Sequence, residues 1–149
     1  MNVEITVNTK GLDLTIDVMA KLDPLVRNAA SRAQAFVQLS MLGRKSGRLY
    51  KVGKKNRRGK RKTHRASAPG EAPAVETGNL RKNILVRPVA PAVWEVYVGQ
   101  NAIAYALALE YGNPRRGLAP RPYMRPGMER ARRPFISAVQ KLIREATKP

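Results

Sequence analysis

Ile84-Leu-Val-Arg-Pro-Val-Ala-Pro-Ala-Val-Trp-Glu-Val-Tyr-Val-Gly99 decides the fold of this chain. Two runs rich in β-branched and aromatic residues flank a Pro-containing turn at Pro91, the pattern of a β-hairpin. In the second run Val93, Glu95, Tyr97 and Gly99 share one face, and Trp94, Val96 and Val98 share the other. Apolar character on both faces predicts that helices cover one and that a neighbouring molecule meets the other. Near the N-terminus, Val3, Ile5 and Val7 alternate with Asn2, Glu4, Thr6 and Asn8, predicting a further half-buried strand that Gly11 ends.

From Leu12 the period becomes helical. Leu14, Val18, Leu22, Leu25, Ala29, Ala33, Phe36 and Ser40 make one stripe, widened by Val26, Ala30, Val37 and Met41. Asp23-Pro24 suits an N-cap and first helical position, so the helix is expected to restart or kink there, and Gly43 to stop it. Downstream of the hairpin a short helix is expected over Ile103–Tyr111, ended by Gly112-Asn113-Pro114, then a Pro/Arg-rich loop over 113–123. The last helix opens near Arg125-Pro126 and carries Met128, Ala131, Phe135, Ala138, Val139, Leu142, Ile143 and Ala146 on one side, with a kink or delay expected at Pro134. The expected class is α+β: an antiparallel β-sheet packed against a long N-terminal helix and a C-terminal helix. Residues 1–149 form one domain, with a flexible basic arm at about 44–76.

That arm dominates the electrostatics. Arg44–Arg65 carries twelve Lys and Arg and no acid, and removing those twelve from the net +19 leaves +7 for the rest. Such a segment attracts phosphate polymers, acidic protein surfaces or anionic lipid. It is read as partner-ordered, with a β-hairpin as an option around Leu49-Tyr50-Lys51-Val52. Arg48, Tyr50, Lys54, Arg57, Arg58, Lys60 and Arg61 are its candidate contact residues. Tyr50 is its only aromatic, so no stacking platform for single strands is present, and no helix-turn-helix, zinc finger or RNP pattern accompanies it.

Signals for catalysis are absent. There is no Cys, His64 is the single His, and no Gly-rich phosphate signature with its Lys follows a strand. Glu71 and Glu76 lie close in sequence, but on a Pro-rich stretch they are read as charge balance for Arg65, Arg81 or Lys82. No metal, cofactor or enzymatic activity is expected. The N-terminus lacks signal-peptide character and no apolar run is long enough to span a bilayer, predicting a chain made in the cytoplasm that uses no membrane.

Three segments carry a resemblance. His64-Arg-Ala-Ser-Ala-Pro-Gly-Glu-Ala-Pro-Ala-Val-Glu-Thr-Gly-Asn-Leu-Arg-Lys-Asn-Ile84 resembles the hallmark of the tailed-bacteriophage neck family, the tail-completion or tail-terminator proteins, known also as minor tail or head–tail joining proteins. Tyr105-Ala-Leu-Ala-Leu-Glu-Tyr-Gly112 is similar to that family's Tyr-Ala, Leu-Glu, aromatic-Gly segment. Ala119-Pro-Arg-Pro-Tyr-Met-Arg-Pro-Gly-Met-Glu129 is similar to its Pro-Arg-Pro-aromatic-Leu-Arg-Pro-Ala segment, with Met124 and Gly127 as departures. Order and spacing agree over nearly the whole chain.

The resemblance implies a structural virion protein of the head–tail neck. It would assemble as a homohexameric ring that completes or terminates the tail and joins it to the head. Its partners would be copies of itself, a neck stopper or connector protein, and the tail-tube protein, with DNA in the lumen contacted nonspecifically. Thr77, Gly78, Leu80, Trp94, Tyr105, Glu110, Tyr111, Arg121 and Tyr123 are candidate interface residues, with Pro120 and Pro122 expected to present Arg121 and Tyr123. Thr77 is expected to cap the turn at Gly78, and Gly112 to end the short helix left-handed. The alternative is a basic DNA-associated protein whose 44–65 arm contacts packaged or passing DNA.

Overall fold

A computed structural model describes residues 2–5 and 16–147. The elements run β1 (Asn2–Ile5), α1 (Ile16–Ser40), β2 (Leu49–Val52), β3 (Lys62–Arg65), α2 (Asn79–Lys82), β4 (Ile84–Ala90), β5 (Val93–Val98), α3 (Ile103–Tyr111) and α4 (Met124–Ala146), with 3₁₀ turns at Gln100–Ala102 and Pro114–Arg116. The hairpin is β4–β5, and β1 adds to its far side, so the antiparallel sheet has the order β1-β5-β4. The expected strand residues Thr6–Asn8, the break at Gly11 and the expected helical start at Leu12 and Leu14 lie outside the described residues.

Register explains the sheet's two faces. Ile84, Val86 and Pro88 stand opposite Val98, Val96 and Trp94, and all of these but the exposed Pro88 pack into the core with α1. Leu85 and Arg87 stand opposite Tyr97 and Glu95 on the other side. Pro88 has no N–H for a ladder, which β4 tolerates because it is an edge strand. The register shifts between Pro88 and Ala90, leaving Val89 exposed. The outer face is less apolar than expected: Glu95 is buried against Arg87 at 2.7 Å, and that guanidinium lies over the Tyr97 ring. A cross-strand ion pair closed by a cation–π contact holds this face.

α1 is the middle layer, lying against β4 and β5 on one side and along α4 on the other. Among its described side chains Leu22, Val26, Ala29, Ala30, Ala33 and Val37 are buried, with Met41 just past its end, so the expected stripe is the core. Three of these are Ala, which lets neighbouring backbones approach closely. Gly127 of α4 makes the tightest such contact: a Cβ there would sit 3.0 Å from the Val37 backbone nitrogen and overlap the Val37 side chain. Gln34 and Gln38 reach from α1 to the Ile84 carbonyl, at 2.8 and 3.4 Å, and Gln38 also reaches that of Arg81.

The expected restart at Pro24 and the expected delay at Pro134 do not occur. α1 continues through Pro24 and α4 through Pro134. Asp23 is therefore no N-cap. Its carboxylate accepts the Ala92 N–H at 3.0 Å and the Trp94 indole N–H at 3.1 Å, latching the hairpin turn to the helix. Packing on either side of each proline, including Leu22 and Val26 around Pro24, offsets the one backbone bond each lacks. α4 also opens one residue before the expected Arg125.

Candidate functional site

α4 begins without a local cap. Tyr123 occupies the N-cap position and makes no side-chain cap bond, although a helix start leaves backbone donors unmet. The acceptor comes from α3. Oε2 of Glu110 takes the N–H groups of Tyr123 and Met124 at 2.8 and 3.0 Å, and Oε1 takes that of Arg125 at 3.1 Å. Glu110 is only 6% exposed, and its charge faces the positive end of the helix dipole. Arg121 is fixed beside it, donating its backbone N–H to the Leu109 carbonyl at 2.6 Å and its Nε to the Ser67 carbonyl at 3.1 Å. Gly70 completes the connection by donating to the Pro120 carbonyl at 2.9 Å.

The three segments that carried the resemblance are therefore one hydrogen-bonded junction. Gly112 makes its sharp turn possible. Its φ of 80° and ψ of 174° lie in a region essentially reserved for glycine, so the expected positive φ is present but the conformation is extended rather than left-handed helical. A Cβ at Gly112 would meet the Leu118 carbonyl oxygen at 2.8 Å. Beside the junction, a groove of about 220 Å³ is lined by residues including Met41, Val75, Gly78, Leu80, Tyr105 and Leu109.

Several candidate contact residues are consumed by the fold. Tyr123 is fully buried, and burial, with the Glu110 carboxylate next in effect, pushes its phenol pKa up. Leu80 is buried in the main core and Glu110 is the cap just described. Arg121 is tied down by Ser67 and by the Ala119 carbonyl. Within this chain the four serve as internal ties: Tyr123, Leu80 and Glu110 are buried, and the half-buried Arg121 is held by two carbonyls. Trp94 is half-buried, its indole bonded to Asp23 and covered by Arg27. Thr77 does accept the Asn79 N–H, at 3.3 Å, across the positive-φ Gly78. Tyr105 and Tyr111 remain exposed, Tyr111 at 70%. Leu107 and Tyr111 lie one helical turn apart and form an outward apolar stripe on α3.

The basic arm contains a two-stranded ribbon. Leu49–Val52 pairs antiparallel with Lys62–Arg65, Tyr50 opposite His64 and Lys51 opposite Thr63. Its base is clamped by Glu71, whose carboxylate accepts the Ser46 hydroxyl at 2.6 Å, the Ser46 N–H at 3.1 Å and the Ala68 N–H at 2.8 Å. Those bonds, the Ser46 hydroxyl first, lower the Glu71 pKa to about 2. This replaces the expected balance of Glu71 against Arg65, Arg81 or Lys82. Nearby Lys45 donates to the Ser40 carbonyl, and burial lowers its pKa against the opposing pull of Glu71. At the far end Asn56 organises the turn: its side-chain oxygen accepts the Arg58 and Lys60 N–H groups at 3.0 and 2.9 Å. Arg48, Tyr50, Lys54, Arg57, Arg58, Lys60 and Arg61 all stand exposed on this ribbon or its flanks.

The sequence did not disclose the latch role of Asp23, the turn-ordering role of Asn56 or the capping role of Glu110. One signal was present for the last: no Ser, Thr, Asp or Asn precedes Met124 where a cap belongs, which asks for a distant acceptor. Among the described residues no group of three or more His, Cys, Asp or Glu could hold a metal ion, and no helix is long and apolar enough to cross a membrane. The fold defines an α+β protein with a basic β-ribbon standing off its body. No family model, curated protein or solved structure matches the chain.

Proposed function

We propose that this chain is a structural subunit of the bacteriophage head–tail junction, forming a homohexameric ring that completes or terminates the tail and joins it to the head. The observation that carries the reading is the junction around Glu110. The segments 67–80, 105–112 and 119–129, which resemble the neck family, bond to one another rather than lying scattered. Motifs that build one structural joint suit a protein whose task is shape and assembly. The chemistry around them is that of capping and packing.

A closed ring needs two different complementary surfaces on each subunit. The exposed Tyr105, Leu107 and Tyr111 on α3 supply apolar anchors for one, and exposed Leu39 and Leu42 at the end of α1 offer another. The neck stopper and tail-tube proteins are the partners this reading assigns to the two rims. An infection lacking the chain tests it. Filled heads and finished tails that fail to join support the proposal; normal virions assembled without the chain refute it. The second reading, a basic DNA-associated protein, draws on the exposed ribbon, and it predicts normal joining with a defect confined to DNA handling.

A further inference from the structure

The ribbon's tip combines an unusual composition with a defined shape. Gly53–Arg61 contains six cations, at 54, 55, 57, 58, 60 and 61, and no apolar or acidic side chain. The acid nearest along the chain, Glu71, is already committed to Ser46 and Ala68 at the base. Protein interfaces pair arginine anchors with a buried aromatic or Met cluster, and this tip has Arg57, Arg58 and Arg61 but no aromatic or Met beside them. A surface made only of cations suits a dense polyanion. DNA provides that density, about one charge per 1.7 Å of helix axis.

Geometry narrows the choice further. Two strands stand about 4.8 Å apart, and four residues of strand extend about 13 Å, a ribbon that enters a groove roughly 12 Å wide. The major groove of B-form DNA has that width, while that of A-form RNA is too narrow for side-chain entry. The one ribbon aromatic, Tyr50, sits at the base under Arg48, so successive unstacked bases find no platform. The tip is also preformed: Asn56 holds two backbone N–H groups of the turn, and the Asn56 N–H itself donates to the Lys60 carbonyl at 2.8 Å.

We infer that the Leu49–Arg65 ribbon is a sequence-independent binding element for double-stranded DNA, entering the major groove with its six tip cations on the phosphates. This deepens the DNA-associated reading given above and does not depend on the ring. The full-length protein is titrated onto fluorescent 20-base-pair duplexes of two unrelated sequences, an RNA duplex, a single strand and polyglutamate, at several salt concentrations. Equal affinity for the two DNA duplexes is expected, tighter than for RNA duplex, single strand or polyglutamate. The log–log salt slope should be about −5 for six phosphates at about −0.9 each. Lys54→Ser, Arg57→Ser, Arg58→Ser and Arg61→Ser combined should lower the affinity at least tenfold and flatten the slope by about 3.6, at unchanged melting temperature.

Asn56→Ala keeps every charge and should weaken binding several-fold with the slope unchanged. Polyglutamate bound as tightly as DNA would overturn the inference in favour of an acidic protein partner. Full affinity in the four-site variant would remove the ribbon from binding, and full affinity in Asn56→Ala would refute the preformed tip. A chain that binds duplex DNA yet stays monomeric keeps this inference and sinks the ring; a ring indifferent to DNA does the reverse.

Discussion

Replacing Glu110 by Ala should unfasten the start of α4. Three backbone N–H groups converge on this carboxylate, and two of them belong to Tyr123 and Met124, which are buried. Each buried donor left without a partner costs about 1–3 kcal/mol, while Arg125 is exposed and water can replace its acceptor. Loss of the negative charge at the helix N-terminus adds up to about 2 kcal/mol in a buried setting. The expected loss is about 3–6 kcal/mol, a large part of the total stability of a domain this size. Glu110→Gln keeps one acceptor oxygen and should cost about 1–3 kcal/mol. Urea unfolding followed by circular dichroism gives both values, and amide exchange at Tyr123 and Met124 should rise sharply. A loss below about 1 kcal/mol for Glu110→Ala, with those amides still protected, would refute the capping argument.

Three further outcomes are expected. Asp23→Ala removes the acceptor for Ala92 and Trp94 and should destabilise by about 2–4 kcal/mol, with Trp94 emission shifting to the red; unchanged emission would contradict the latch. Gly127→Val places side-chain carbon where Val37 already stands and should cost about 1–3 kcal/mol through separation of α1 and α4, read from the urea midpoint. Glu71 has a folded pKa of about 2 against an ordinary 4.5, so its contribution is fully present above pH 4.5 and is lost as pH falls through about 2. Ser46 and Ala68 amide signals should follow that low titration, and a midpoint near 4.5 would show the clamp is not formed.

The hairpin was legible because two β-branched and aromatic runs flank a turn at Pro91, and the α1 core because its stripe repeats at helical spacing. Ile103–Tyr111 was legible from end to end because Gly112 marks its stop. What sequence could not disclose were pairings between distant residues. Asp23 looks like a cap beside Pro24, yet its partners lie 69 and 71 residues away. Leu80, Tyr123 and Arg121 have the chemistry of contact anchors, and only the folded chain shows that its own core and carbonyls use them. The tip of the ribbon lay between these extremes: its charge was plain, while the ordering by Asn56 depends on where Arg58 and Lys60 return.

The ring is the central claim, and native mass measurement of the full chain, alone and with the tail-tube protein, tests it most directly. The account predicts a discrete assembly of six 16.5 kDa subunits, formed by the chain alone or on adding that partner. A species that stays monomeric at every concentration and partner ratio would contradict it.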